Sequence, residues 1–454
     1  MNHRSENGLI SRVWGSAVAW SMGPILMRVA AFVFVMTYAL RTISRENIGL
    51  WYGMISLTAL VGCIELGFAT TIARFAAYYR AGARSVPPLG LHQDGVRVSD
   101  PNLPALRGII AEARRIYLVL ALVFLIVCVA AAMAWSALLP DAHPLDARAA
   151  GALGLLIAGG AFNLTAQYWP PLLNGLGEVR TYNVYQTIGQ VAGYVLAMAG
   201  LWAGGGLVAL AVGQVVQGLV WRWLSRRKVA SMLVTPRDGG AVEPINWRIL
   251  WPMTWRSGVG MAASQLVLPV LPLMVSHFSL LETASFGFSL QVALLLHLFS
   301  SSWIAATWPH LSAMRARGEM ASVHLLAARR IAMSVATFVV AATIIPFVAP
   351  VALEWIHSKT PFLPPGLWAL LAIATLADMI VGAHIALLQT GNRTPYMSAI
   401  VATGLLNVGL AVFLGPRFAT QGILLGAITA QLLIAAWWIP RRAWRDLRAA
   451  SQPA

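Results

Sequence analysis

Charge is scarce in this chain. Only 11% of its 454 residues are charged, against about 25% in soluble domains. With a 58% apolar share and a mean hydropathy of +0.71, that scarcity excludes a water-soluble globular protein. Acids are the scarcer sign, 16 against 32 Lys+Arg. Cysteine is nearly missing: Cys63 and Cys128 both lie in apolar runs. A disulfide framework and a cysteine metal site are thereby excluded, and the two are read as packing residues. There is no Gly-rich phosphate loop, no ATPase domain, no paired carboxylates in an outer loop and no metal-ligand cluster. No cofactor is expected. The apolar residues come in continuous runs rather than alternating segments of about ten residues, which excludes a transmembrane β-barrel.

What the chain has is apolar runs long enough to cross a bilayer, which takes about 20 residues each. About twelve are expected, at roughly 13–40, 50–78, 116–137, 149–173, 182–203, 206–224, 254–277, 284–308, 331–355, 363–388, 396–415 and 419–439. The fold class is therefore an all-α polytopic membrane protein. Ala17-Val18-Ala19 resembles a signal-peptide cleavage site, but the apolar run starts too late and continues to Leu40, so no cleaved signal peptide is expected. Most of the 32 basic residues fall on one side of the spans, among them Arg12, Arg80, Arg114, Arg222, Arg226, Arg227, Arg315, Arg441 and Arg442. The other side holds Arg41, Arg45, Arg148, Lys359 and Arg417. By the positive-inside rule the first side, with both termini, is cytoplasmic. The net charge of +16 is then a topology signal, and no nucleic-acid partner is expected. Trp51, Tyr52, Trp221, Trp223, Trp355 and Trp437 at span ends fit interfacial belts.

The two halves repeat. Leu172-Leu173-Asn174-Gly175, Arg180-Thr181-Tyr182, Gly206-Leu207-Val208 and Trp221 before Arg226-Arg227 match a second series. That series is Leu387-Leu388-Gln389, Arg393-Thr394 with Tyr396, Gly422-Ile423-Leu424 and Trp437 before Arg441-Arg442. Weaker matches join Trp14 to Trp255, Glu46 to Glu282 and Arg80 to Arg315. The expected organisation is an N-terminal lobe of about six spans over 1–224 and a cytoplasmic linker over 225–253. A C-terminal lobe over 254–454 follows, ending in a short cytoplasmic tail, the lobes being parallel repeats. Two such lobes with a cleft between them are a transporter architecture. Pro24 in the first span, and Pro269 and Pro272 in the seventh, interrupt corresponding helices, either as a transport-site break or as ordinary membrane prolines. Gly189/Gly193 and Gly200/Gly204, at four-residue spacing, are read as helix-packing pairs.

Charged residues at membrane depth cost about 2.5–3.5 kcal/mol each and are candidate functional groups. Arg28 and Glu65 both fall about 22 Å from the cytoplasmic loops, at about 1.5 Å per residue. They are expected to pair, either as an anion-binding arginine with a releasing or proton-carrying acid, or as a structural ion pair. Arg74 lies near the inner end of its span and either faces the cavity or snorkels. Arg256, at a span entrance beside Trp255, is read as interfacial. Asp378, near mid-membrane, suits a proton carrier, and His297 at similar depth either pairs with it or is a hydrogen-bonded core residue. Gln167, Gln190, Gln214, Gln291, Asn407 and Gln431 either bind sugar hydroxyls or make interhelical hydrogen bonds.

Leu40-Arg41-Thr42-Ile43-Ser44-Arg45-Glu46-Asn47-Ile48-Gly49-Leu50 resembles the loop after the first helix of Wzx-type polysaccharide flippases. Glu65-Leu66-Gly67-Phe68-Ala69-Thr70 with Arg74-Phe75, and Asn174-Gly175-Leu176-Gly177, are similar to that family's second-helix and pre-fifth-helix patterns. The resemblance implies a MATE-like fold within the multidrug/oligosaccharidyl-lipid/polysaccharide superfamily. It also implies transfer of an undecaprenyl-diphosphate-linked oligosaccharide between leaflets of a bacterial inner membrane by alternating access. It assigns Arg28 and Arg74 to the diphosphate, while Gln190 and Gln291 are candidates for the sugar. Proton coupling is assigned to Glu65, Asp378 and His297. The expected partners are the bilayer, the lipid-linked cargo, and the polymerase and chain-length proteins of the same pathway. A MATE-type organic-cation antiporter is the alternative, favoured by Asp378 and disfavoured by Arg28. A membrane polymerase or ligase is disfavoured by the short outer loops.

Overall fold

A computed structural model describes residues 17–450 apart from 60, 66, 85–99, 140–144, 234–241, 306, 318 and 391–394. Leu66, Arg393 and Thr394 of the matched motifs, Arg12, and part of the 225–253 linker lie outside the described residues, as does the side chain of Arg256. No strand occurs among the described residues. That is what a bilayer demands, because only a helix satisfies its own backbone polar groups within one segment.

The helices, in order, are α1 (Ala17–Ala31), α2 (Thr37–Thr42), α3 (Arg45–Thr58), α4 (Val61–Ile64), α5 (Phe68–Arg80), α6 (Leu103–Ala137), α7 (Ala147–Thr165), α8 (Trp169–Gly175) and α9 (Val179–Trp202). They continue as α10 (Gly206–Met232), α11 (Trp247–Gln265), α12 (Leu271–Ser276), α13 (Leu280–Ala305), α14 (Trp308–Ala316), α15 (Met320–Trp355), α16 (Pro365–Gln389), α17 (Met397–Ala430) and α18 (Ala436–Ala450). Side-chain caps start some of them. The Ser44 hydroxyl accepts from Asn47 N–H at 3.3 Å to open α3, and the Asp146 carboxylate accepts from Ala149 N–H at 2.6 Å to open α7. Among the described residues, nine stretches are long and apolar enough to cross a bilayer. The longest, Met397–Arg448, is broken at Ala419 (φ 46°, ψ −132°), between the last two expected spans. The chain is a multi-pass, all-α membrane protein.

The helices depart from straight spans in three places, of which the one at Pro269 and Pro272 is expected from the sequence. The expected span 50–78 is divided between α3, α4 and α5. Gly67 (φ 72°) takes the left-handed conformation that ends the turn ahead of α5, and Glu65 sits in that break. Pro24 does not end its helix: α1 runs through it, and the irregularity comes later, as a π-helical turn over Phe32–Met36. Pro269 lies in a break in which α11 stops at Gln265 and α12 starts at Leu271, and Pro272 stands in the first turn of α12, so the expected interruption is present. The Asn407 amide donates to the Leu266 and Val267 carbonyls there, at 2.6 and 3.0 Å, so the interrupted backbone keeps hydrogen-bond partners.

The chain forms two compact units. The first comprises Met1–Ile43, Ile64–Ala134 and Leu145–Gly258; the second comprises Ser44–Cys63, Trp135–Pro144 and Val259–Ala454. In the first unit α9 and α10 lie in close contact. A Cβ on Gly189 would meet the Gln217 carbonyl at 2.6 Å, one on Gly193 would overlap the Gly213 carbonyl, and Gly200 abuts Ala209. In the second unit α3 packs on α13, where Gly287 accommodates the Tyr52 ring. Leu122, Ile126 and Val129 of α6, and Val340, Phe347 and Val351 of α15, point outward, as lipid-facing residues must.

Each unit carries a copy of one device. The Arg80 guanidinium, at the end of α5, occupies the space a side chain on Gly177 would fill, just past the end of α8. Arg315, at the end of α14, donates to the Leu387 carbonyl at 3.2 Å and to the Thr390 hydroxyl at 3.0 Å, at the end of α16. Both arginines therefore stand beside the turn after the matched Leu-Leu segments, and Arg315 holds its turn by hydrogen bonds.

Candidate functional site

The first unit buries a polar cluster in its apolar interior. Glu65, in the break ahead of α5, is buried and accepts a 2.7 Å hydrogen bond from the hydroxyl of Tyr117 on α6, itself fully buried. On α10, Arg222 donates from Nε to Gln167 Oε1 at 2.7 Å, from Nη2 to the same oxygen, and from Nη1 to Asn163 Oδ1 at 3.1 Å. Asn163 in turn donates to the Val215 carbonyl at 3.1 Å, fixing its oxygen toward the arginine. The Arg222 charge acts on both Glu65 and Tyr117, yet no carboxylate lies within ion-pair distance of it among the described residues. Its hydrogen bonds go to neutral amides, and Glu65 acts on its charge only from beyond ion-pair distance.

Gly218 makes the room. A Cβ there would overlap Arg222 Nη1 and lie 2.7 Å from Asn163 Oδ1. Gly218→Ala is therefore expected to break the Arg222–Asn163 contact and lower stability by about 1–3 kcal/mol, the range for overpacking or for a lost bond to a charged group. A thermal midpoint of the purified variant equal to wild type would contradict this placement.

The expected Arg28–Glu65 pair does not form. No such pair lies within 4 Å, and the Arg28 side chain is exposed; its charge is felt instead by Tyr182 and Tyr194 on α9. Equal depth is not contact: the depth reckoning assumes one unbroken helix, and Glu65 stands in a break. Arg222, read from the sequence as a loop-flanking basic residue, is inside α10, and it is the cation whose charge acts on Glu65. Its signal was its setting, between Trp221 and Trp223 and one turn after Gly218. Arg74 lies over the Tyr78 ring at 5.6 Å. Gln190 is buried on α9, with neither amide atom partnered. The Tyr182 and Trp221 rings meet edge to face, 5.4 Å between centroids, and join α9 to α10 beside Arg222.

Several polar residues prove to be interhelical ties. Gln167 holds Arg222, Gln431 donates to the Ala374 carbonyl at 3.2 Å, and Gln291 accepts from the Tyr52 hydroxyl at 2.9 Å. In the second unit the structure brings His297 and Asp378 together: His297 Nδ1 lies 3.8 Å from Asp378 Oδ2, an ion-pair rather than a hydrogen-bond distance. His297 also lines a cavity of about 230 Å³ with Ser301, Trp308, Ser334 and Gly382. No group of three or more metal-ligating residues occurs among the described residues.

Solved structures share this arrangement of helices. An inward-facing multidrug-resistance MATE family transporter of the MOP superfamily matches with a TM-score of 0.65 at 16% identity, over 94% of this chain and 100% of that one. The chain has the MATE fold. The lipid II flippase MurJ, in an inward closed conformation, shares that fold with a TM-score of 0.68 at 12% identity, over 96% and 90% of the two chains. A MOP superfamily transporter from Pyrococcus furiosus, whose binding pocket has reverse polarity suggesting a different function, matches at 0.59 and 15% identity, over 96% of each chain. No family profile matches the sequence, and no curated protein does. Within the MATE fold, the charge of the site has therefore to be read from this chain's own residues.

Proposed function

We propose that the chain is a Wzx-type flippase. It carries an undecaprenyl-diphosphate-linked oligosaccharide from the cytoplasmic to the periplasmic leaflet of a bacterial inner membrane, for O-antigen, capsule or exopolysaccharide assembly. About twelve spans form two lobes, 1–224 and 254–454, joined by 225–253, with both termini cytoplasmic. The observation that carries this reading is Arg222, a half-buried arginine near the inner end of its apolar run, held by two neutral amides instead of an acid. A guanidinium paired with a carboxylate presents little net charge to a ligand. One held by amide oxygens keeps its full charge, and an anion within about 4 Å gains about 4 kcal/mol at an effective dielectric of about 20. Its fork of donors matches phosphate oxygens. Arg28 and Arg74 add cationic character, Gln190 offers an unpartnered amide to sugar hydroxyls, and Gln291 sits in the second unit beside Tyr52. Glu65, Asp378 and His297 are the proton-coupling groups of this reading, and the pathway's polymerase and chain-length proteins are its partners.

The second reading, an organic-cation antiporter, is favoured by Asp378 and His297 beside the cavity of the second unit. Reconstitution separates the two. Proteoliposomes holding the purified chain are expected to move a labelled polyprenyl-diphosphate glycan between leaflets and to leave a fluorescent organic cation untransported; the opposite pattern establishes the antiporter. Arg28→Ala is expected to lower glycan transfer. A variant that folds, inserts and transfers normally removes Arg28 from the cargo site.

A further inference from the structure

The last helix carries a feature that the transport reading does not use. One side of α18 is apolar: Ile439, Ala443 and Leu447, spaced by four, are buried against Val323 and Ala327 of α15 and Leu387 and Leu388 of α16. The opposite side presents Arg441, Arg442 and Arg445, all exposed, with Arg448 on the same face. Two contacts fix the rotation of the helix. Asp446 receives Arg315 Nη2 at 2.5 Å, and Trp444 lies between His324 and His384, with ring centroids 4.7 and 5.6 Å away. The arginines therefore cannot turn inward.

The nearby acids are engaged. Asp446 is held by Arg315, and Glu319, in the turn between α14 and α15, accepts from Arg317 Nε at 2.5 Å. That hydrogen bond holds the Glu319 carboxyl below its ordinary range. Arg441, Arg442 and Arg445 make no ion pair among the described residues. They begin within one turn of Ile439, the last buried apolar residue before Pro440, with Trp437 and Trp438 just ahead of them. Tryptophans followed by arginines at the end of an apolar run stand at headgroup depth.

We propose that this face of α18 is a docking surface for anionic phospholipid headgroups of the leaflet beside it, holding the end of the second unit at the membrane surface. The complementarity is of charge: a fixed row of guanidiniums, with Arg441, Arg442 and Arg445 in no ion pair among the described residues, meets a leaflet whose phosphates are the abundant anions at that depth. Each arginine near an anionic surface contributes about 1 kcal/mol, a factor of about five. The assignment does not depend on what the protein transports.

The test uses the full chain in nanodiscs of phosphatidylcholine mixed with phosphatidylglycerol, with the lipids retained after detergent exchange counted by native mass spectrometry. Wild type is expected to be enriched in phosphatidylglycerol. Arg441→Gln, Arg442→Gln and Arg445→Gln are each expected to lower the phosphatidylglycerol-to-phosphatidylcholine ratio about fivefold, whereas the corresponding lysine variants keep it. Thermal midpoints in pure phosphatidylcholine show that each variant is folded. Equal ratios in wild type and the glutamine variants overturn the proposal. Loss of the enrichment on adding inorganic pyrophosphate, with phosphatidylglycerol still in excess, also overturns it, because the surface would then be a diphosphate site.

Discussion

Arg222→Gln is expected to abolish glycan transfer while the chain still folds. Glutamine can still bond to Asn163 and Gln167, so the packing between α7 and α10 survives, but the guanidinium charge is gone. Losing one charge-assisted contact of about 3 kcal/mol corresponds to about a hundredfold weaker binding of an anionic cargo. Arg222→Lys keeps the charge and loses the fork, so part of the transfer is expected to remain. A purely structural arginine gives a different pattern, in which both variants lose stability and transfer falls only in proportion. Gln167→Ala sharpens the contrast. It removes the oxygen that occupies Nε and Nη2, so binding of inorganic pyrophosphate to the purified chain is expected to tighten. Weaker pyrophosphate binding in that variant would show that the amide is part of the anion site rather than a placeholder.

Tyr117→Phe is expected to be the most destabilising single-atom change in the first unit. The hydroxyl is fully buried and donates to a buried carboxyl at 2.7 Å. Removing it leaves the Glu65 oxygen without that donor, a cost of about 1–3 kcal/mol, and more if the group is charged. Replacing both partners by apolar side chains leaves nothing unsatisfied. The double variant Tyr117→Phe, Glu65→Leu is therefore expected to recover most of the lost thermal stability. Its transfer activity is expected to stay low, since Glu65 is one of the proposed coupling groups. A midpoint for Tyr117→Phe within error of wild type would mean that the carboxyl finds its partner elsewhere.

Much of the fold was legible because a bilayer imposes simple rules. The apolar runs located the helices, and the Gly189/Gly193 spacing marked where α9 meets α10. Gly204 of the second expected pair lies instead in the turn after α9, with nothing within 4 Å of a Cβ. The matched Leu-Leu segments located the turns beside Arg80 and Arg315. Asn163 and Asp378 stand the same distance before those segments, one accepting from Arg222 and the other facing His297. The repeat thus places a neutral amide in one unit where the other has an acid. The His297–Asp378 contact was legible because both lie within unbroken helices, so depth translated into position. Glu65 failed that reckoning because Gly67 interrupts its span. Arg222 escaped because counting basic residues by loop ignores helix rotation: α10 continues to Met232, and the side chain turns toward α7 rather than toward solvent. The partners of a polar side chain depend on which helix faces which, and periodicity alone does not contain that.

The most direct test is made in cells lacking this chain, with the glycosyltransferases that build the repeat unit intact and no redundant flippase present. Undecaprenyl-linked repeat units are quantified, and the leaflet that holds them is determined. Accumulation on the cytoplasmic side together with loss of surface polymer, reversed by the wild-type chain and not by Arg222→Gln, is the predicted result. Normal polymer with no accumulation would contradict the flippase reading and leave the cation antiporter in its place.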